Sequence, residues 1–258
     1  MIATLDVTNS YISIGCMDRD LEIFLERIST NLKKTDLEYA VDLLQTFAVR
    51  KTEISEVEGC VLSSVVPALT SVISASVRRV FGSAPYVVRA DRQDLVPIWI
   101  DQPENLGANL LADAAGALLL APPPLIFIDF GTATTLGVIG PEGAYRGGVI
   151  LPGVHSALNA LLGNTSQIPN TAPGTVLTTL GKNSQESLTG GLTFGNAGMA
   201  DRIIDLCEDE LGMKTTHVAT GRHAKRILPY LTHEVIEDEF LALKGLSRLY
   251  YHEKGGRR

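Results

Sequence analysis

The segment LDVTNSYISIG at 5–15 recurs as IDFGTATTLGV at 128–138. Each copy is an apolar run ending on an acid, Asp6 or Asp129, followed by a turn of small residues and a returning apolar run. A third strand-like run follows each copy, at 21–28 and 145–151, and then a segment of helical period. An internal repeat constrains architecture before any single residue does. This one implies a duplicated βββαβα unit, with two similar α/β domains, 1–115 and 116–258, facing each other across a cleft.

The remaining periodicities fill in that frame. Runs at 2–6, 11–16 and 21–28 with short connections read as an antiparallel meander. From Asp36, the expected N-cap, Leu37, Ala40, Val41, Leu44 and Ala48 recur at helical spacing. A strand near 60–64 precedes a helix with Pro67 in its first turn, running to Val80. Strands near 86–89 and 96–100 and a helix over 105–120 close the first half. The second half predicts strands at 125–129, 134–139 and 145–151 and a helix near 153–163. A loop at 164–184, rich in Thr, Pro, Gly and Asn, comes next. Helices near 186–211, a strand at 217–220, and helices near 223–230 and 238–252 finish the chain. The basic tail 254–258 reads as a frayed terminus without a function.

Composition narrows the function. Hydrophobic residues make up 45% of the 258, enough for a sizeable core. A net charge of −7 lacks the basic footprint of non-specific nucleic-acid binding. The N-terminus has neither the basic nor the apolar region of a signal peptide. The longest apolar run, 114–128, contains three prolines and is too short to span a bilayer. These features predict a cytoplasmic protein with no membrane or nucleic-acid partner. Cys16, Cys60 and Cys207 are unpaired in spacing and read as reduced thiols. No GxxxxGK[ST] loop, strand-following GxGxxG, HExxH pair or GxSxG elbow is present.

The two strand-end aspartates carry the chemistry. A turn of small residues lets backbone N–H groups approach an anionic ligand. In the second turn Gly131 permits that approach and Thr132 adds a hydroxyl; in the first, Asn9 and Ser10 fill the equivalent places. Alone, either aspartate can simply cap its turn. As a symmetric pair they predict phosphate and metal binding, since two carboxylates can hold a metal ion against phosphate oxygens.

These hairpins resemble those of the acetate and sugar kinase/Hsp70/actin superfamily, whose fold is a pair of RNase H-like (actin-like ATPase) domains with a nucleotide cleft between them. Within it the chain resembles the type III pantothenate kinases, or Bvg accessory factor-like proteins. The resemblance rests on Asp6-Val7-Thr8-Asn9-Ser10, SSVVPAL (63–69), PENLGA (103–108), IDFGTATT (128–135) and GGVILPG (147–153). It continues through NSQESLTGGLTFGNAG (183–198), ATG (219–221) and LALKGLSRLYY (241–251). It implies ATP-dependent phosphorylation of pantothenate, the first step towards coenzyme A, by a cytoplasmic homodimer that uses Mg²⁺ and K⁺ or NH₄⁺. It places the ATP phosphates at Asp6, Thr8, Asn9, Ser10, Ser13 and Thr132, with Asp6 on the Mg-ATP side. It places the monovalent cation at Asp129 and pantothenate along Gly107, Ala108, Asn109 and Leu110. Ser184 stands where the family usually has Thr and keeps the hydroxyl.

Three departures bear on activity. Thr8 replaces the glycine of the family's first turn, where a Cβ can crowd the phosphates or demand an unfavourable φ. Asn109-Leu110 replaces Asp-Arg, the family's general base and a cationic substrate contact. Arg222 replaces the second glycine of Thr-Gly-Gly. An amide cannot accept the substrate proton, and an alkyl chain cannot make a bidentate cationic contact. Asp113, one helical turn after Asn109, shares its helix face and offers a displaced carboxylate, or is simply part of that helix. Two further readings therefore stand beside a kinase of weakened catalysis. One is a non-catalytic paralogue acting by nucleotide or partner binding. The other is a kinase of a different small hydroxylated substrate.

Overall fold

The computed structural model describes residues 1–19, 21–164 and 178–255. Within the expected loop 164–184 and tail 254–258, residues 165–177 and 256–258 lie outside the described residues. In chain order the first elements are β1 (Ile2–Val7), β2 (Tyr11–Asp18), β3 (Leu21–Ser29), α1 (Asp36–Val49), β4 (Gly59–Ser64), α2 (Pro67–Phe81), β5 (Tyr86–Val87) and α3 (Ala108–Leu120). Then come β6 (Leu125–Phe130), β7 (Ala133–Ile139), β8 (Tyr145–Pro152), α4 (Val154–Asn164), α5 (Ser184–Leu211), β9 (Thr216–Thr220), α6 (Ala224–Ile227), β10 (Ile236–Glu237) and α7 (Leu241–Gly255).

The chain forms two compact units, one of Met1–Leu119 with Phe240–Arg258, the other of Leu120–Glu239. The unit boundary thus differs from a division at 115/116, because α7 returns to the first unit. The cause is close helix packing. A Cβ on Gly245 would collide with the carbonyl of Ala112, and one on Gly116 would stand 3.0 Å from the carbonyl carbon of Leu241. Small residues on both helices let α3 and α7 approach each other.

In the first unit the sheet order is β3-β2-β1-β4-β5. β1 pairs antiparallel with β2 and parallel with β4. All six β1 residues are buried, as a strand covered on both faces requires. Leu5 and Val7 join Ile14, Phe24, Leu43, Phe47, Leu62 and Ile73 in one core. The alternate residues Thr4 and Asp6 face the other way. That face is covered by α7, since a Cβ on Gly15, the register partner of Thr4, would stand 2.6 Å from the Thr4 hydroxyl and collide with the Leu243 side chain of α7.

The second unit repeats the arrangement, with order β10-β9-β6-β7-β8. β6 takes the place of β1, antiparallel to β7 and parallel to β9. Ile126, Ile128, Leu136, Leu158, Leu192, Ala200 and Ile204 build its core with α4 and α5. The sequence repeat is therefore a repeat of sheet order as well as of hairpins. Among the described residues no helix is long and apolar enough to cross a membrane.

Two local expectations change. Thr35, not Asp36, caps α1: its side chain accepts from the Glu38 N–H, and Glu38 accepts from the Thr35 N–H in return. Asp36 instead pairs with Arg79 at 2.6 Å. The segment 96–100 forms no strand. The Gln93 side chain takes both backbone groups of Val96, at 2.9 Å each, and Pro97 has no N–H to offer a ladder.

Candidate active site

Asp6 lies one residue before the end of β1, between two hydroxyl residues, facing Ser13 on β2 and Ser63 on β4 in register. Asp6 is 7% exposed, and its Oδ1 has no hydrogen-bond partner. Burial pushes its carboxyl up to about 6, and the neighbouring Ser63 hydroxyl pulls the other way. Ser63 is fully buried; beyond that pull on Asp6 its hydroxyl has no hydrogen-bond partner, and neither has that of Thr4. Unpaired buried oxygens are costly, and these three leave the same face of the sheet.

The turn that follows is closed by Thr8. Its N–H and its hydroxyl both donate to the Tyr11 carbonyl, at 2.9 and 2.8 Å. Thr30 donates its hydroxyl to the Thr8 carbonyl at 2.7 Å, and its N–H to that of Ser10 at 3.0 Å. Thr8 does not need the left-handed region, since the described non-glycine residues with positive φ are Arg19 and Lys51. The family glycine is therefore replaced without backbone strain. Its polar donors face Tyr11, and Asn9 is exposed at the turn's tip.

Gly107 to Leu110 open α3 beside the same strand ends. A Cβ on Gly107 would stand 2.7 Å from Asn109 Oδ1 and 3.8 Å from Val65. Val65 in turn donates its N–H to the Val7 carbonyl at 3.0 Å. The ends of β1 and β4 and the start of α3 thus meet within the first unit, bringing residues 107–110 to the Asp6 end of the sheet. Asn109 and Leu110 are half-buried. Asp113 is 2% exposed within the buried stretch of α3.

Asp129 repeats the arrangement in the second unit, facing Thr135 on β7 and Thr220 on β9. The Thr135 hydroxyl is buried without a hydrogen-bond partner. Gly131 and Thr132 turn tightly here, and Gly131 donates its N–H to the Ala133 carbonyl at 3.1 Å. A Cβ on Gly153 would stand 2.6 Å from the Gly131 carbonyl, and the Ser156 hydroxyl donates to the Thr132 carbonyl at 2.6 Å. The start of α4 therefore braces the turn. Gly221, with φ of +99°, lies against Asp129 and the Phe130 backbone. Arg222 is exposed and requires no special backbone. His223 donates its N–H to the Phe130 carbonyl at 3.1 Å. Burial, then the charges of Arg222 and Arg226, push its imidazole down to about 4, so it is neutral near pH 7. Ser184 is exposed at the start of α5, behind the Asn183 cap.

Among the described residues no three His, Cys, Asp or Glu side chains gather as a metal cluster. A cation held at Asp6 or Asp129 would need further oxygen ligands from hydroxyls, carbonyls, water or phosphate, a donor set that suits hard cations.

A family profile described as type III pantothenate kinase matches residues 2–206. The chain belongs to the type III pantothenate kinase family. A protein of that name from Citrifermentans bemidjiense is 33% identical over 98% of this chain and all of its own length. Another from Pelobacter propionicus is 34% identical over 97% of this chain and 98% of its own. Among solved structures, a Baf family protein from Campylobacter jejuni superposes with a TM-score of 0.59 at 16% identity, covering 98% of this chain and 100% of that one. The activator of 2-hydroxyisocaproyl-CoA dehydratase from Clostridium difficile, solved with bound ADPNP, gives 0.58 at 11% identity, over 99% and 96%. These structural likenesses establish the two-domain actin-like fold.

Of the sequence-predicted residues, Asp6, Ser13 and the segment Gly107–Leu110 lie at one end of the first unit, and Asp129 and Thr132 at the matching end of the second sheet. Sequence reasoning missed Ser63 and Thr135. Both lie inside blocks that carried the family resemblance, but only strand register sets them beside the aspartates.

Proposed function

We propose that this chain transfers the γ-phosphoryl group of ATP to the primary hydroxyl of pantothenate, giving 4'-phosphopantothenate at the start of coenzyme A biosynthesis. The carrying observation is the pair of strand-end carboxylates, each set between two hydroxyl residues, in a member of the type III pantothenate kinase family. We further propose a cytoplasmic homodimer that uses Mg²⁺ with K⁺ or NH₄⁺.

In this reading the turn at Asn9 and Ser10, Ser13 and Thr132 donate to the phosphates, and Thr8 holds the first turn closed. Asp6 serves the Mg-ATP side and Asp129 the monovalent cation. Mg²⁺ and the monovalent cation, when bound, neutralise phosphate charge. Gly107 to Leu110 and Ser184 face pantothenate. Asn109 orients the acceptor hydroxyl by hydrogen bonding but does not take its proton. General-base help is typically worth about 10²–10⁴-fold, whereas phosphoryl transfer rests chiefly on positioning and electrostatics. Turnover is therefore expected to be slow rather than absent. Leu110 removes a cationic contact that the substrate carboxylate would use.

The Asn109-Leu110 pair also favours a second reading, a non-catalytic paralogue that binds nucleotide or a partner. Transfer from labelled ATP to pantothenate, with Mg²⁺ and K⁺ or NH₄⁺, separates the two. The natural chain is compared with the Asn109→Asp/Leu110→Arg double variant. Slow turnover that the double variant raises by ~10²-fold or more supports the kinase. Silence from both supports the paralogue.

A further inference from the structure

We propose that Ser63 is a positioning residue of the nucleotide site: its hydroxyl, sealed beside Asp6, orients that carboxylate towards the metal–phosphate group. The inference rests on the kinase reading above and adds a residue to it. Three observations carry it. Ser63 is the register partner of Asp6 across the parallel β1–β4 pair, so their side chains leave the same face of the sheet. Ser63 has no solvent exposure, and beyond its pull on the Asp6 carboxyl its hydroxyl has no hydrogen-bond partner, while Asp6 Oδ1 has none. The second unit also sets a buried hydroxyl without a hydrogen-bond partner in register with its acid, there from the antiparallel neighbour: Thr135 on β7, the place of Ser13, whereas the counterpart of Ser63 on β9 is Thr220.

A buried hydroxyl without a well-formed hydrogen bond adds little stability, so its loss costs little in the unligated chain. Core packing alone would place alanine or valine here. A hydroxyl both donates and accepts. It can donate to one oxygen of Asp6 while the other turns to a cation, or it can accept from a water bound to that cation. Neither role exists for a methyl group. An oxygen-rich pocket of one carboxylate and hydroxyls matches a hard cation.

Ser63→Ala is the test, with thermal unfolding of the full chain as the first readout. Without ligand, the variant is expected to melt close to the natural chain. Mg²⁺ titrated at fixed ATP should then show the half-maximal rise in melting temperature at roughly three- to ten-fold higher Mg²⁺. Mn²⁺ binding in the presence of ATP, read by electron paramagnetic resonance, should weaken in parallel. Ser63→Thr, which keeps the hydroxyl, should restore the Mg²⁺ requirement if it folds; Ser63→Ala alone decides if it does not. An alanine variant with an unchanged Mg²⁺ requirement overturns the proposal. So does one that melts several degrees lower without ligand and keeps its Mg²⁺ midpoint, because that is a packing role. A natural chain that ATP with Mg²⁺ does not stabilise at all removes the nucleotide reading itself, and this inference with it.

Discussion

Gly221 and Asp129 occupy adjoining space only because Gly221 has no side chain. A Cβ there would collide with Asp129 Oδ1 and stand 2.6 Å from the Phe130 backbone nitrogen. The φ of +99° independently favours glycine. Gly221→Ala should therefore displace Asp129 and destabilise the chain by about 1–3 kcal/mol. Thermal unfolding with and without K⁺ checks both parts. The melting temperature should fall, and the K⁺-dependent part of any ATP-induced stabilisation should vanish. An alanine variant with full K⁺ dependence would separate Asp129 from the monovalent cation.

Asp6 illustrates stability given up for binding. Its carboxylate is buried with one oxygen unpartnered. Asp6→Asn removes that charge, and unligated stability should rise by about 1–2 kcal/mol. The stabilisation conferred by ATP with Mg²⁺ should be lost at the same time. Urea unfolding measures the first and a thermal-shift titration the second. A variant less stable than the natural chain would mean that Asp6 is already satisfied without ligand.

Much of this site was legible in the sequence, and the residues that were not have a common reason. The repeat at 5–15 and 128–138 located both aspartates and both hairpins because hydrophobic alternation and small-residue turns are local properties. The same repeat implied two similar α/β units, while their common strand order is seen only in the structure. Ser63 and Thr135 were invisible as site residues because strand register is set by long-range pairing. The return of α7 to the first unit was hidden for a similar reason: Gly245 and Gly116 each look like a weak point in a helix until they face each other. Thr35 was the better cap on local grounds, since Glu38 stands three residues on, and the capping-box pattern would have found it. Segment 96–100 read as a strand from composition, but Gln93 closes it as a loop.

The α3–α7 contact gives a prediction with an internal control. A Cβ on Gly245 would collide with the Ala112 carbonyl and stand 2.8 Å from the Gly116 nitrogen. Both are backbone atoms and cannot swing aside. Gly245→Ala should cost about 1–3 kcal/mol, despite alanine's better helix propensity. A Cβ on Gly198, inside α5, would meet nothing within 4 Å. Gly198→Ala should stabilise by about 0.5–1 kcal/mol. Opposite signs from one substitution type, read in urea, are the expected outcome; equal signs would mean that α3 and α7 are not in close contact.

Glu208 sets the acid limit of the second unit. Burial alone would raise its carboxyl, but Lys214, the Thr215 N–H and hydroxyl, and His217 all hydrogen-bond to it and bring it down to about 2. The distances are 2.7, 2.9, 3.0 and 3.2 Å. Because the folded value lies below the ordinary 4.5, the stabilisation is complete above about pH 4.5 and is lost as pH falls towards 2. Glu208→Gln removes the titrating group and keeps the shape. At pH 7 it should cost on the order of 2 kcal/mol, the loss of charged hydrogen bonds. Between pH 4.5 and 2 its stability should fall less steeply than that of the natural chain, so the two curves converge on acidification. Melting temperatures of both proteins across that range test this, and parallel curves would place the acid sensitivity at another carboxylate.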